Sequence, residues 1–224
     1  MTFSTPDPAP VAGEPISGCT TLAIFDLDGT LVTRDSFLPF LVSYALQKGR
    51  YGALFVMPFW IALYVFRLIS ARTVKEKVLT LVFRGENRVD IARQAEAFCS
   101  TWVKTHLMET LIRRLRDHLD KGHRVILLSA SPDLYVPVIG MSLGISEAVC
   151  TRVGWNDDIC TGQIIGPNCK GEEKIRMLCE YLRLEGEPGP SFAYGDSKSD
   201  LPLLWWVNQG FLVKNGDISA VSNE

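Results

Sequence analysis

The chain has 224 residues, 47% of them hydrophobic, with 23 Lys and Arg against 25 Asp and Glu. That length and apolar share suit one α/β domain with an insertion, or two small domains, around a sizeable core. A net charge of -2 without a basic stripe argues against a nucleic acid partner, and six scattered cysteines with no CxxC pair argue against a disulfide framework.

Residues 1–18 are rich in Pro, Ser, Thr, Asp and Gly and read as a disordered leader. They lack a basic segment followed by an apolar one, so no secretory signal is expected. Single thiols suit a reducing, cytoplasmic compartment. Leu22-Ala23-Ile24-Phe25 then reads as a strand buried on both faces, the kind found in parallel sheets. It stops abruptly in Asp26 and Asp28, and Gly29-Thr30 turns the chain away from its carboxyl end. In open α/β sheets that end faces the ligand crevice.

Residues 36–119 carry helical patterns and no convincing strand. Phe37–Leu46 is apolar. Tyr51–Phe66 has no charge at all. Thr73-Val74-Lys75-Glu76 has capping-box spacing and opens a helix that Gly85 closes. Two more amphipathic helices are expected over 88–106 and 109–119. The uncharged run would span about 24 Å as a helix, short of a hydrocarbon core of about 30 Å, and Pro58 sits within it. A single crossing would also put Asp26 and the later acidic residues on opposite sides of the membrane. A buried helix is therefore the first reading. An interfacial helix, with Arg67, Arg72, Lys75 and Lys77 meeting anionic headgroups, is the alternative.

Arg124–Leu128 reads as the second buried strand, ending in Ser129-Ala130-Ser131-Pro132, with Asp133 capping a helix to Leu143. Ala148–Val153 and Ile164–Ile165 are expected as a hairpin around Asn156-Asp157-Asp158. Glu172–Leu184 is amphipathic. Ser191–Tyr194 is a strand ending in Gly195-Asp196-Ser197-Lys198-Ser199-Asp200. Leu201–Val207 reads as a helical turn, Phe211–Val213 as the last strand, and the residues beyond Asn215 as a polar tail.

Three apolar strands thus end in chemistry: Asp26 with Asp28, Ser129, and Asp196 with Asp200. In a parallel sheet these tips share one edge. Carboxylates crowded there repel one another unless a cation sits among them. A hard divalent ion such as Mg²⁺, which accepts oxygen ligands and substrate phosphate, answers that need. Ser129 and Lys174 offer the hydroxyl and the positive charge that a phosphate requires. An Asp can attack phosphorus, and a second carboxyl two residues on can protonate the leaving oxygen and later activate water.

Phe25-Asp26-Leu27-Asp28-Gly29-Thr30-Leu31 resembles the first motif of the haloacid dehalogenase superfamily of phosphatases. Ser129 resembles the second motif, Lys174 the third, and Gly195 to Asp200 the fourth. The resemblance favours Lys174 over Lys170 for that role, since its spacing from Cys169 and Gly171 is like that of the phosphoserine-phosphatase-like subgroup. The resemblance covers Leu22 to Asn215, and a helical insertion straight after the first motif is like that of the phosphoserine-phosphatase-like subgroup. It implies a Rossmann-like parallel sheet with an all-helical cap, the core being 19–35 and 120–224 and the cap 36–119. It further implies Asp26 as phosphoryl acceptor, Asp28 as acid and base, and Ser129 and Lys174 as phosphate binders. Asp26, the Asp28 carbonyl and Asp196 would hold Mg²⁺, with Asp200 close by. Ser129-Ala130-Ser131 departs from the Ser-Gly-Gly usual in phosphoserine phosphatases. The substrate thus stays open between a small phosphorylated metabolite and a lipid phosphate, the latter suggested by the apolar insertion. A phosphotransferase passing the phosphoryl group to an alcohol, and a catalytically silent membrane- or partner-binding module, are the rival readings; peripheral contact with the inner membrane face and oligomeric state stay open.

Overall fold

The computed structural model describes residues 20–186 and 188–221. The expected leader lies outside the described residues.

Seven strands form one sheet in the order β4-β3-β2-β1-β5-β6-β7. They are β1 (Leu22–Phe25), β2 (Arg124–Pro132), β3 (Glu147–Asn156), β4 (Ile159–Ile165), β5 (Ser191–Gly195), β6 (Gln209–Lys214) and β7 (Asp217–Ala220). The central five run parallel; β4 and β7 close the edges antiparallel. All four β1 residues are buried because the sheet is covered on both faces. Ala23 and Phe25 face one layer, and Leu22 and Ile24 face the other, as the period of two requires. The second layer contains α7 (Glu172–Leu182) and α8 (Leu201–Trp206), which contribute Leu178, Leu182, Leu203 and Leu204.

The first layer holds the chain between β1 and β2: α1 (Phe37–Gln47), α2 (Tyr51–Val65), α3 (Ala71–Phe83), α4 (Arg88–Phe98), a π-helical turn at Cys99–Val103, and α5 (Glu109–Asp120). Helix α6 (Val136–Ser142) follows β2. Helix α5 packs against the sheet, its His118 ring meeting Phe25 and Phe192 edge-on. Phe40 of α1 packs on Tyr135 at the start of α6, with ring centroids 4.4 Å apart, and on Phe83 and Phe98.

The β3–β4 hairpin docks on the α3–α4 connection. Gly85 N donates to Cys160 O at 2.9 Å, Cys160 N to Glu86 O at 2.9 Å, and Arg88 N to Asp158 O at 2.8 Å. Gly162 (φ 72°) permits the closest approach, since a Cβ there would lie 2.5 Å from Thr80 Cα.

Several local expectations are corrected. Helix α3 is capped by Ser70, whose Oγ accepts from Thr73 N at 3.1 Å, so Thr73 lies inside the first turn. Asp133 does not cap a helix. Its Oδ1 accepts from Val153 N at 3.0 Å, joining β2 to β3. The helix expected over 88–106 is broken by the π-helical turn. The polar tail contains β7, whose Ile218 pairs with Val213.

The largest correction concerns α2. Only Ala53 and Met57 of this helix are buried, so the buried-helix reading does not hold. Among the described residues no helix is long and apolar enough to cross a membrane. The five described cysteines form no disulfide.

Candidate active site

Strand register assembles the site. Phe25 is level with Leu127 on β2 and Tyr194 on β5. The next residues along each strand therefore emerge at one sheet edge: Asp26 and Asp28, Ser129 and Ser131, and Asp196. Asp26 N still donates to Tyr194 O at 2.9 Å, so its backbone is held as an extension of β1.

Asp26 is buried. Its Oδ1 accepts a 2.6 Å hydrogen bond from Lys174 Nζ, and the same ammonium donates to Asp200 Oδ1 at 2.6 Å. Lys174 is 2% exposed and is brought in by the first turn of α7, after Gly171. Lys170 is exposed. Asp200 Oδ2 accepts from both Ser197 N (3.0 Å) and Ser197 Oγ (2.6 Å). Carboxylate oxygens of Asp26, Asp196 and Asp200 lie within 4.8 Å of one another.

The electrostatics follow from three carboxylates facing one ammonium. Burial pushes the Asp26 carboxyl up to about 7, Lys174 pulling it down and Asp200 adding to the rise. Burial and Asp200 push half-buried Asp196 up to about 6. Burial also disfavours charge on Asp200, but Lys174 and the Ser197 donors outweigh it and hold its pKa below the usual range. Burial works against the charge on Lys174, while Asp26 and Asp200 together hold its pKa above the ordinary lysine value. The cluster is therefore short of positive charge even with Lys174 in place, and all of its acidic donors are hard oxygens. That donor set fits a divalent hard cation. Gly29 (φ 80°) leaves the space: a Cβ there would lie 2.1 Å from Asp196 Oδ2.

Asp28 is not part of that cluster. Its carboxylate is turned the other way, Oδ1 accepting from Ser36 N at 2.7 Å and Oδ2 from Ser131 Oγ at 2.6 Å. Burial holds its pKa above the ordinary value, and the two serines act against that rise. Ser129 is 1% exposed, and its Oγ accepts from Ser131 N at 3.1 Å.

Sequence reasoning missed three contributors. Ser131 is the side chain that orients Asp28; it lies where β2 slips its register against β3, between Ser129 and Pro132, and its hydroxyl in Ser129-Ala130-Ser131 is the only signal in the sequence. Ser36 supplies a backbone donor to Asp28, and its Oγ lies 2.9 Å from the Tyr135 hydroxyl. Lys75 of α3 reaches the sheet edge, donating to Ala130 O at 2.8 Å and to Asn168 Oδ1 at 2.6 Å. Burial, with Lys170 adding to it, lowers the Lys75 pKa to about 8. No local pattern in the sequence marks a helix lysine for that place.

The haloacid dehalogenase-like hydrolase family model matches residues 23–204. Protein CicA of Caulobacter vibrioides is 31% identical over 188 residues, covering 82% of this chain and 81% of that protein. Phosphoserine phosphatase SerB1 of Mycobacterium tuberculosis is 26% identical, covering 88% of this chain and 67% of its own length. A crystal structure of a protein of unknown function from Bordetella pertussis superposes with a TM-score of 0.73 at 25% identity, covering 83% of this chain and 86% of that one.

Proposed function

The chain belongs to the haloacid dehalogenase-like hydrolases, and from that membership and the geometry of its sheet edge we propose that it is a Mg²⁺-dependent phosphomonoesterase. The observation that carries this reading is the meeting of Asp26, Asp196 and Asp200, the first and last of them paired with Lys174, at a sheet edge that Ser129 and Asp28 also reach.

In this reading an oxygen of Asp26 attacks the phosphorus of a phosphate monoester as the bond to the leaving oxygen breaks. Asp28 gives that oxygen its proton, and the alcohol departs. Asp28 then takes a proton from water, whose oxygen attacks the phosphorus, releasing inorganic phosphate and restoring Asp26. A carboxyl held above the usual range by burial is suited to both halves of this exchange. Ser129 and Lys174 bind the phosphate oxygens. Asp26, the Asp28 carbonyl and Asp196 would hold Mg²⁺, with Asp200 close by and anchoring Lys174. When bound, the ion would neutralise the cluster and supply charge to offset that on the phosphoryl group.

Helices α1 to α4 are the cap in this reading, and α5, lying on the sheet, belongs with the core. The substrate is a phosphate monoester that enters beneath the cap, either a small phosphorylated metabolite or a lipid phosphate. The test is phosphate release from a panel running from phosphoserine to a lysophosphatidate, with and without Mg²⁺, beside Asp26→Asn. Release that needs both the ion and Asp26 is the expected result. Transfer to an added alcohol in place of release would make the chain a phosphotransferase. Neither release nor Mg²⁺ binding would overturn the reading in favour of a silent binding module.

A further inference from the structure

Helix α2 has no partner for most of its surface. Phe55 is 84% exposed, Phe66 at its end 74%, and Leu68 beyond it 70%, with Val65, Phe59 and Tyr51 also exposed. A helix of a water-soluble surface normally carries a polar face. This one has none, and contiguous apolar surface of this extent marks an interaction site.

The charges around it say what covers it. From Phe37 to Lys77 the chain has six basic residues and one acidic one, Glu76. At the amino end of α2, Lys48 and Arg50 are paired with Asp90 and Glu86. At its carboxyl end Arg67, Arg72 and Lys77 form no ion pair among the described residues; Arg72 donates to the Gly166 and Ile164 carbonyls, and Lys77 lies over the Trp60 ring with its Nζ 5.4 Å from the centroid. An apolar helix bordered by uncompensated cations is complementary to an anionic lipid surface. A second copy of the chain is a poorer fit, since α2 has no acidic residue to offer those cations. The helix is about 10 Å thick, close to the depth an interfacial helix reaches, and Tyr51, Tyr64 and Trp60 have the amphipathic rings that settle at headgroup level.

We infer that α2 embeds in the face of an anionic bilayer, lying in its plane, and that this helix docks the protein on membranes. The inference stands on α2 and its flanks and is independent of the chemistry assigned to Asp26.

The experiment is flotation of the full chain with phosphatidylcholine vesicles and with mixed phosphatidylcholine–phosphatidylglycerol vesicles. The wild type floats with the mixed vesicles and much less with the neutral ones. Phe55→Asp with Phe66→Asp lowers partitioning by about tenfold or more, each ring losing a membrane contact and adding a charge. Arg67→Gln with Lys77→Gln lowers it by about tenfold and weakens its salt dependence. Both phenylalanines are exposed, so the variant keeps the wild-type circular dichroism and melting temperature. As a measurement on unperturbed α2, vesicles with brominated acyl chains quench the fluorescence that wild type has and Trp60→Phe lacks. A wild type that stays in solution with both vesicle types, or an aspartate variant that floats like wild type, overturns the inference. Dimers in light scattering that the aspartate variant dissociates, without vesicle binding, would assign α2 to a second copy instead.

Discussion

Ser131 Oγ lies 2.6 Å from Asp28 Oδ2 and donates a hydrogen bond to it, while Ser36 N takes the other carboxylate oxygen at 2.7 Å. With both oxygens held, the Asp28 carboxyl has one orientation. Ser131→Ala releases one of them and removes a donor that favours the ionised form, so the Asp28 pKa rises further. The expected outcome is a fall in kcat of about tenfold with little change in KM, a fraction of what general acid–base catalysis contributes. With Asp28 as the proposed acid and base, the limb of the pH profile that it would govern moves to higher pH. Ser131→Thr, which keeps a hydroxyl, recovers part of the loss. An unmoved pH profile in the alanine variant would reduce Ser131 to packing.

Lys174 is the ammonium shared by Asp26 and Asp200, and removing one partner of a buried ion pair is costly because the other charges stay behind. Lys174→Met is expected to abolish phosphate release and to lower stability at pH 8 by about 3 kcal/mol. The sign with pH is definite. In the variant the carboxyls have folded-state pKa values above their unfolded ones, so stability is greatest at low pH and is lost as pH rises through the raised values. Urea unfolding in chelator at several pH values measures this. An unchanged midpoint at pH 8 would show that Lys174 carries no electrostatic load.

Asp26 and Asp196, held up to about 7 and about 6, are acidic groups that a divalent cation would relieve. Mg²⁺ is expected to raise thermal stability, by about 2.7 kcal/mol at a hundredfold excess over Kd, and chelator is expected to abolish turnover. Asp196→Asn removes one charged donor. It should raise the Mg²⁺ Kd by more than tenfold in calorimetry while leaving the chelated protein at least as stable as wild type. Gly29→Ala should weaken Mg²⁺ likewise, since its Cβ would collide with Asp196 Oδ2. Identical titrations of all three proteins would remove Asp196 from the ligand set.

These relationships differ in how far local sequence announces them. An apolar run that stops in a carboxylate or a hydroxyl is visible without any alignment, β1 and β5 running into Asp and β2 into Ser129; parallel register then brings Asp26, Ser129 and Asp196 to one edge. Ser131 was harder to see because its role depends on the turn that swings Asp28 toward β2. Lys75 depends on the packing of α3 over the sheet edge, which no local pattern encodes. The uniform apolarity of Tyr51–Phe66 announced a helix but, having no polar side, carried no information about which side the fold would cover. Strand β7 escaped because an antiparallel edge strand with a single large apolar residue, Ile218, resembles a loop until β6 offers it hydrogen bonds. Asp133 looked like a cap because Asp caps helices well, but the strand continues through Pro132 and its carboxylate meets Val153 N instead.

Lys75 ties α3 to the sheet edge through Ala130 O and Asn168 Oδ1. Thr151 Oγ1 also lies within hydrogen-bond distance of both acceptors. Lys75→Met removes two charge-assisted bonds and is expected to cost about 2 kcal/mol of stability. Because Ala130 directly follows Ser129, the variant should raise KM several-fold with a smaller effect on kcat. Equal loss in kcat and kcat/KM, with KM unmoved, would place Lys75 in the chemical step instead.

Behind the site, His118 is buried with its Nε2 3.0 Å from the Tyr194 hydroxyl and its Nδ1 2.7 Å from His123 Nδ1. Burial, with His123 adding to it, lowers its pKa from 6.5 to about 4. Between those values the unfolded chain binds the proton and the folded chain does not. The contribution of His118 to stability is therefore intact above about 6.5 and is lost as pH falls toward 4, by about 3 kcal/mol at most. His118→Gln keeps an amide to meet the Tyr194 hydroxyl. It should be about 1 kcal/mol less stable than wild type at pH 8, yet the gap should close, and then reverse, as pH drops toward 4. Chelator-treated protein unfolded in urea across that range gives both curves. Parallel curves would mean that His118 stays neutral in both states or is already charged in the fold, and the acid sensitivity would then belong to other groups.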